Sequence, residues 1–128
     1  MQWKVELPGT DGHAVVTTSG TFNVTDHLRM IEDIVSRPGW RPGTDVLFDH
    51  RGLSFGDADL RAMYEASTNH QRNDARIGSG KAAVLMRSLS DYGRARQFEL
   101  LMADRASASV RVFLDEAEAL DWLAGQTV

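Results

Sequence analysis

The stretch Asp45-Val46-Leu47-Phe48-Asp49-His50-Arg51-Gly52-Leu53-Ser54-Phe55-Gly56-Asp57-Ala58-Asp59-Leu60 decides the fold class of this chain. It opens on a short apolar run, Val46 to Phe48, and breaks abruptly into charge at Asp49, His50 and Arg51. Such a run, flanked by turn signals, is too short for a helix and reads as a buried strand. Gly52 and Gly56 bracket what reads as a small polar loop. Asp57 then reads as the N-cap of a helix beginning with Leu60 and Met63. A buried strand, a polar loop and a helix N-terminus form the unit from which open α/β sheets build ligand sites.

Toward the N-terminus, Trp3, Val5 and Leu7 alternate with Lys4 and Glu6 at strand period. The turn cluster Pro8 to Gly12 joins this strand to a second, His13 to Ser19, as an antiparallel hairpin. Val24, Leu28, Ile31, Ile34 and Val35 recur at helical spacing, with Asn23 or Thr25 as cap and Pro38-Gly39 as stop. Trp40, between two Arg-Pro-Gly triplets, is expected to cover the end of the core, with an exposed binding tryptophan as the alternative.

Toward the C-terminus, Leu60, Met63, Tyr64 and Ser67 mark the inner face of the second helix, which turns polar from Asn69 to Asp74. Ile77 to Gly80 reads as a flexible lead into Ala82 to Met86. That continuous apolar run suits a central parallel strand covered on both faces. Ser90-Asp91 caps a third helix with Ala95, Phe98, Leu101 and Met102 inward. Val110, Val112 and Leu114 alternate with Arg111 and Phe113 in a fifth strand nearer an edge. Asp115-Glu116 opens a last helix, where acidic groups favour the dipole. Its inner face is Ala117, Leu120, Leu123 and Ala124, and Gly125 ends it. The sum is one α/β domain over residues 1–128, ββαβαβαβα, with a mixed, mainly parallel sheet flanked by helices.

Composition removes whole classes of function. The 42% apolar and 25% charged residues are ordinary for a globular domain, so disorder is not expected. A net charge of −4 disfavours a nucleic-acid-binding surface. With no cysteine there is no disulfide, thiolate metal site or cysteine nucleophile. No stretch approaches the roughly 18 apolar residues of a membrane span, and Met1-Gln2-Trp3-Lys4 lacks signal-peptide character. A cytoplasmic location is the expectation.

The candidate chemistry falls into two groups. Asp49, His50 and Arg51, at the end of the central strand, could hold a polar ligand beside a helix N-terminus, where free N–H groups attract anions. The structural alternative has Asp49 capping nearby backbone and Arg51 pairing with Asp57 or Asp59. Arg87, Tyr92, Arg94 and Arg96 gather at the start of the third helix, as an anion contact or a solvated face. A metal site from Asp49, His50, Asp57 and Asp59 lacks helical i, i+4 ligand spacing. An aspartyl-phosphate site at Asp49 lacks the further carboxylates needed for magnesium. Gly52-Leu53-Ser54-Phe55-Gly56 has the Gly-x-Ser-x-Gly spacing, but no serine is read as sitting in a nucleophile elbow, and Gly78-Ser79-Gly80-Lys81 precedes a strand where a phosphate loop would join strand to helix. No catalytic residue, metal or cofactor is assigned. His13, His27 and His70 read as isolated surface residues.

Taken whole, the pattern resembles a STAS domain of the SpoIIAA-like group, related to sporulation anti-sigma-factor antagonists. The initial hairpin carries the resemblance, with Trp40-Arg41-Pro42-Gly43-Thr44-Asp45-Val46-Leu47-Phe48-Asp49 and Leu53-Ser54-Phe55-Gly56-Asp57. So does Asp91-Tyr92-Gly93-Arg94-Ala95-Arg96-Gln97-Phe98-Glu99, followed by Phe113 to Ala117 and by Ala119, Leu120, Trp122 and Leu123. The resemblance implies partner binding, not catalysis, with a regulatory protein such as an anti-sigma kinase as partner and a homodimer as a further option. In the family's antagonists a serine at the start of the second helix, in an Asp-Ser-Ser-Gly motif, is phosphorylated. Here Asp57-Ala58-Asp59-Leu60 stands there, with Asp59 nearest the regulated serine, so no serine switch is expected at that position. Ser54 lies in the preceding loop. The group's likeness to Sec14-type lipid-binding folds implies an alternative: a carrier or sensor of a small apolar or anionic ligand, with peripheral membrane contact. The expected contact surface is the loop Arg51 to Asp57 with the exposed side of the second helix.

Overall fold

Strands β1 (Gln2–Glu6) and β2 (Ala14–Thr21) form the antiparallel hairpin that the alternation around Lys4 anticipates, with Val5 opposite Val16. The computed structural model describes residues 1–9 and 12–125; Thr10 and Asp11 of the expected turn lie outside the described residues. β2 starts at Ala14, one residue later than expected, and opens a run of parallel strands, β3 (Val46–Ser54), β4 (Lys81–Leu85) and β5 (Ser109–Phe113). Sheet order equals chain order, β1-β2-β3-β4-β5, so β5 is the second edge. The helices are α1 (Val24–Ser36), α2 (Leu60–Arg72), a short α3 (Asp74–Ile77), α4 (Leu89–Met102) and α5 (Glu116–Leu123). The α/β class and the mixed, mainly parallel sheet are as the sequence indicates, with α3 added.

Sequential strand order with right-handed crossovers puts the intervening helices on one face of the sheet. Side-chain alternation agrees. Ala14, Val16 and Val46 pack with Met30 and Ile34 of α1, and Val84, Met86 and Val112 with Met63 of α2 and Ala95 of α4. Leu47, Ala83, Leu85 and Phe113 face the other way and meet Ala119 and Leu123 of α5. β4 is therefore apolar on both sides, which is why Ala82 to Met86 shows no alternation.

Local features depart from the sequence expectation where tertiary pairing decides them. β3 outlasts its apolar run and continues through Asp49-His50-Arg51-Gly52 to Ser54, because β2 runs alongside as far as Thr21. The polar loop expected between Gly52 and Gly56 is thus reduced to the turn after Ser54. At Gly52 a Cβ would lie 2.9 Å from the Thr18 carbonyl oxygen, so the strand pair can close there only around glycine. Asp59, not Asp57, caps α2: its carboxylate accepts the Ala62 N–H at 3.0 Å. The inner face of α2 is Met63, Ala66, Ser67 and His70, spaced i, i+3, i+4, i+7, while Leu60 and Tyr64 are exposed. Asn69, His70 and Asn73 are buried while Arg72 is exposed, so the polar end expected of this helix is partly interior.

The α4 cap is Ser88, whose hydroxyl accepts the Asp91 N–H at 3.2 Å, in place of Ser90. On α5, Ala119 and Leu123 face inward, and Ala117, Leu120 and Ala124 do not. Ile77 to Gly80 is no slack lead: the Gly43 N–H donates to the Ile77 carbonyl at 2.9 Å. Trp40 does cover the core end, its Nε1–H donating to the Arg76 carbonyl at 2.8 Å.

Candidate functional site

The site begins with two periodicities that meet. On β3, Phe48 and His50 are two residues apart and share the helix-side face. On α1, His27 and Met30 are three apart; on α2, Met63, Ala66 and His70 are spaced three and four, so each set lies on one helix face. These faces converge under α4, where Ala95 and Phe98 close the set. Ala66, Ala82 and Ala95 are small and leave space between the layers. The result is a cavity of about 50 Å³ walled by the rings of Phe22, Phe48, Phe55 and Phe98, by Met30 and Met63, and by three histidines.

The imidazoles come from three elements: His27 from α1, His50 from β3 and His70 from α2. Phe98 stands edge-on to two of them, its ring centroid 6.0 Å from His27 and 6.2 Å from His70. Phe22 stacks tilted on Phe55 at 5.2 Å and walls one side. His50 Nδ1 is hydrogen-bonded to the Thr18 hydroxyl at 2.6 Å, which orients that ring. His27 Nδ1 and His70 Nδ1 are buried with no hydrogen-bond partner among the described residues. A buried imidazole nitrogen without a partner costs free energy, so two of the three rings are left with unmet capacity. Asn69 Nδ2–H donates to the Val24 carbonyl at 3.1 Å and ties α2 to the start of α1 beside this cavity.

Burial sets the charge of these rings. It pushes His27 from the ordinary 6.5 down to about 3, and the nearby His70 and His50 add to the fall. Burial likewise takes His50 to about 4 and His70 to about 4, against the smaller opposing pull of Asp49 and Asp74 respectively. At neutral pH all three are uncharged, each ring having one donor and one acceptor nitrogen.

The structure separates what the sequence groups. His50 enters the cavity, whereas Asp49 and Arg51 lie on the opposite side of β3. There the Arg51 guanidinium donates to both Asp49 carboxylate oxygens at 2.9 Å and lies 3.7 Å from Glu116 at the start of α5. The Asp49 carboxyl is held below its usual range by the Arg51 hydrogen bond, with burial opposing. Arg51 therefore pairs with Asp49 and Glu116, not with Asp57 or Asp59. Ser54 Oγ accepts the Gly56 N–H at 3.2 Å, Asp57 is exposed, and Asp59 is the helix cap already described.

The basic group on α4 is dispersed. Arg96 pairs with Glu99 on its own helix, Tyr92 packs against the core, and Arg87 and Arg94 are exposed without an ion-pair partner among the described residues. Glu99, unremarked in the sequence, is buried and accepts the Val112 N–H of β5 at 3.0 Å. Among the described residues no group of three or more His, Asp or Glu side chains is placed to hold a metal ion. No helix of the described residues is long and apolar enough to cross a membrane.

His27 and His70 are the site residues that sequence reading misses, being taken there for surface positions. The available signal is helical phase: His27 lies one turn before Met30 and Ile31, and His70 lies i+7 from Met63.

No protein-family model matches the chain, and no curated protein matches it. Among solved structures it is similar to an uncharacterised protein of the DUF3478 family from Shewanella loihica PV-4, described as having a SpoIIAA-like fold. The two share 16% identity with a TM-score of 0.58 over 95% of this chain and 92% of the other. The fold is accordingly SpoIIAA-like, as the sequence pattern suggests.

Proposed function

We propose that this domain is a non-enzymatic regulatory module whose input is a small, mainly apolar ligand held between α1, α2 and the helix side of the sheet. The observation that carries this reading is the cavity: an apolar, ring-walled space into which three uncharged imidazoles converge. Binding sites for small molecules have this composition, mostly hydrophobic and aromatic with few convergent polar groups. The arrangement is poorly suited to acid–base catalysis near neutral pH, because rings with pKa values of about 3 to 4 are weak bases. Mass spectrometry of the purified chain, native against denatured, tests the proposal. A small molecule retained in the native form and released on unfolding is expected. A bare chain that no small apolar compound stabilises against heat counts against it.

A second reading, docking of a regulatory protein, draws on the outer side of α2 and α4. Leu60, Tyr64 and Leu100 are exposed there, and Arg105 lies over the Tyr64 ring at 5.2 Å. Asp59 at the α2 start would give such a surface a fixed negative charge. Replacing it by serine, which also caps helices, and comparing the partners captured by each form separates a signalling charge from a mere cap: identical partners leave Asp59 a cap.

A further inference from the structure

We propose that the ligand of this cavity is a short, uncharged alcohol, its hydroxyl meeting a ring nitrogen of His27 or His70 and its carbon chain lying among Phe48, Phe98, Met30 and Met63. This rests on the ligand-binding reading above and names its chemical class.

Three observations lead to it. The first is size. A buried water needs on the order of 10–15 Å³ of such space, so a cavity of about 50 Å³ takes a few water-sized groups, a chain of roughly four or five non-hydrogen atoms. The second is the absence of charge in the lining. Among the described residues every polar side chain that borders the cavity is a histidine, with no carboxylate, guanidinium or ammonium. An ion entering would lose its hydration and meet no counter-charge, a penalty far larger than that for a neutral hydroxyl. The third is the unmet hydrogen-bonding capacity. His27 and His70 are both more than nine-tenths buried, and neither imidazole has a hydrogen-bond partner among the described residues. Each ring nitrogen is a donor in one neutral tautomer and an acceptor in the other. A hydroxyl is both donor and acceptor, so it serves either nitrogen, whereas a ketone or an ether oxygen serves only the donor. His50 has its Nδ1 already engaged by Thr18, which fixes that ring and leaves it one nitrogen fewer to offer.

The lining also has the give that entry requires. Met30 and Met63 are fully buried, flexible and unbranched, and can re-pack around an occupant.

The experiment uses the full chain and four probes of nearly equal size: 1-butanol, 1-chlorobutane, butyrate and butylammonium. Binding is read at neutral pH from the ring signals of His27 and His70 and the methyl signals of Met30 and Met63 by NMR. Saturable shifts with 1-butanol are expected, at least tenfold tighter than with 1-chlorobutane, and none with either ion. Equal binding of 1-chlorobutane overturns the hydroxyl assignment while leaving an apolar ligand site in place. Preferential binding of butyrate overturns the neutrality argument. If no probe shifts these signals, both this inference and the cavity reading beneath it fail. His27→Leu and His70→Leu, made separately, test the anchors. At least one should bind 1-chlorobutane as before and lose the tenfold preference for 1-butanol. If both folded variants keep that preference, the anchor assignment is overturned.

Discussion

The two sides of the sheet solve the same packing problem differently. Under α5, Leu47, Ala83, Leu85, Phe113, Ala119 and Leu123 fill the interface with aliphatic and aromatic groups, and the polar residues beside them, Asp49, Arg51 and Glu116, pair toward water. Under α1, α2 and α4 the layer is larger, carries three histidines, and leaves a cavity. β3 contributes to both sides at once: Asp49 and Arg51 to the first, Phe48 and His50 to the second. The difference teaches that polarity in a sequence does not indicate exposure. A strand that reads as charged at Asp49-His50-Arg51 has an ion pair on one face and a neutral, desolvated ring on the other.

Acid should break this comparison most strongly. His27, His50 and His70 have folded pKa values of about 3 to 4 against an ordinary 6.5. The unfolded chain therefore binds more protons between about pH 6.5 and pH 4, so stability is full above 6.5 and falls as the pH drops through that window. Each unit of pKa difference is worth about 1.4 kcal/mol, so the loss from three rings is on the order of several kcal/mol. Asp33, Asp49 and Asp74 are also depressed and add a loss of the same sign, but only below their ordinary value of 3.8. Urea midpoints at several pH values between 7 and 4.5, with the histidine ring protons followed by NMR, check this. A flat profile, or rings that titrate near 6.5, would remove the distinction between the two faces.

Leu85→Ala strikes the filled side. Leu85 is completely buried in the α5 cluster, and truncation should cost about 2–5 kcal/mol through lost burial and a new cavity. A change well below 1 kcal/mol in chemical denaturation would mean that this side is no better packed than the other.

A matched pair of substitutions sharpens the contrast. Ala66→Met adds volume to the cavity wall and should stabilise by about 0.5–2 kcal/mol, as cavity-filling changes do. Ala119→Met adds the same group at a fully buried position packed among Leu47, Leu85 and Leu123 and should cost about 1–3 kcal/mol. Opposite signs of the shift in melting temperature are the expected result; equal signs would show that the two layers are alike in packing.

Arg51→Ala should have the smallest effect. The Asp49–Arg51–Glu116 group is partly exposed, and such pairs contribute about 0–1 kcal/mol. The expected change is below about 1 kcal/mol and shrinks further in high salt. A larger, salt-independent loss would mean that the outer face, too, is a desolvated site.

The sequence by itself determined the class of fold. Alternation at Trp3 to Leu7, the short apolar run at Val46 to Phe48, the unbroken one at Ala82 to Met86 and the helical spacing between them each report a local period, and local periods follow from backbone geometry. The end of β3, the inner face of α2 and the place of the histidines were decided only in three dimensions. β3 runs on to Ser54 because β2 lies beside it and satisfies its backbone groups, a pairing between residues more than thirty apart in the chain. Asp59 and Asp57 are equally good caps by residue type, and only the helix start selects between them. His27 and His70 look like surface polar residues because a single imidazole has no partner nearby in the sequence; what buries them is α4, laid across both by the crossover between β4 and β5. Burial then removes their charge, so the chemistry of the site is a property of the packing and not of the residue type.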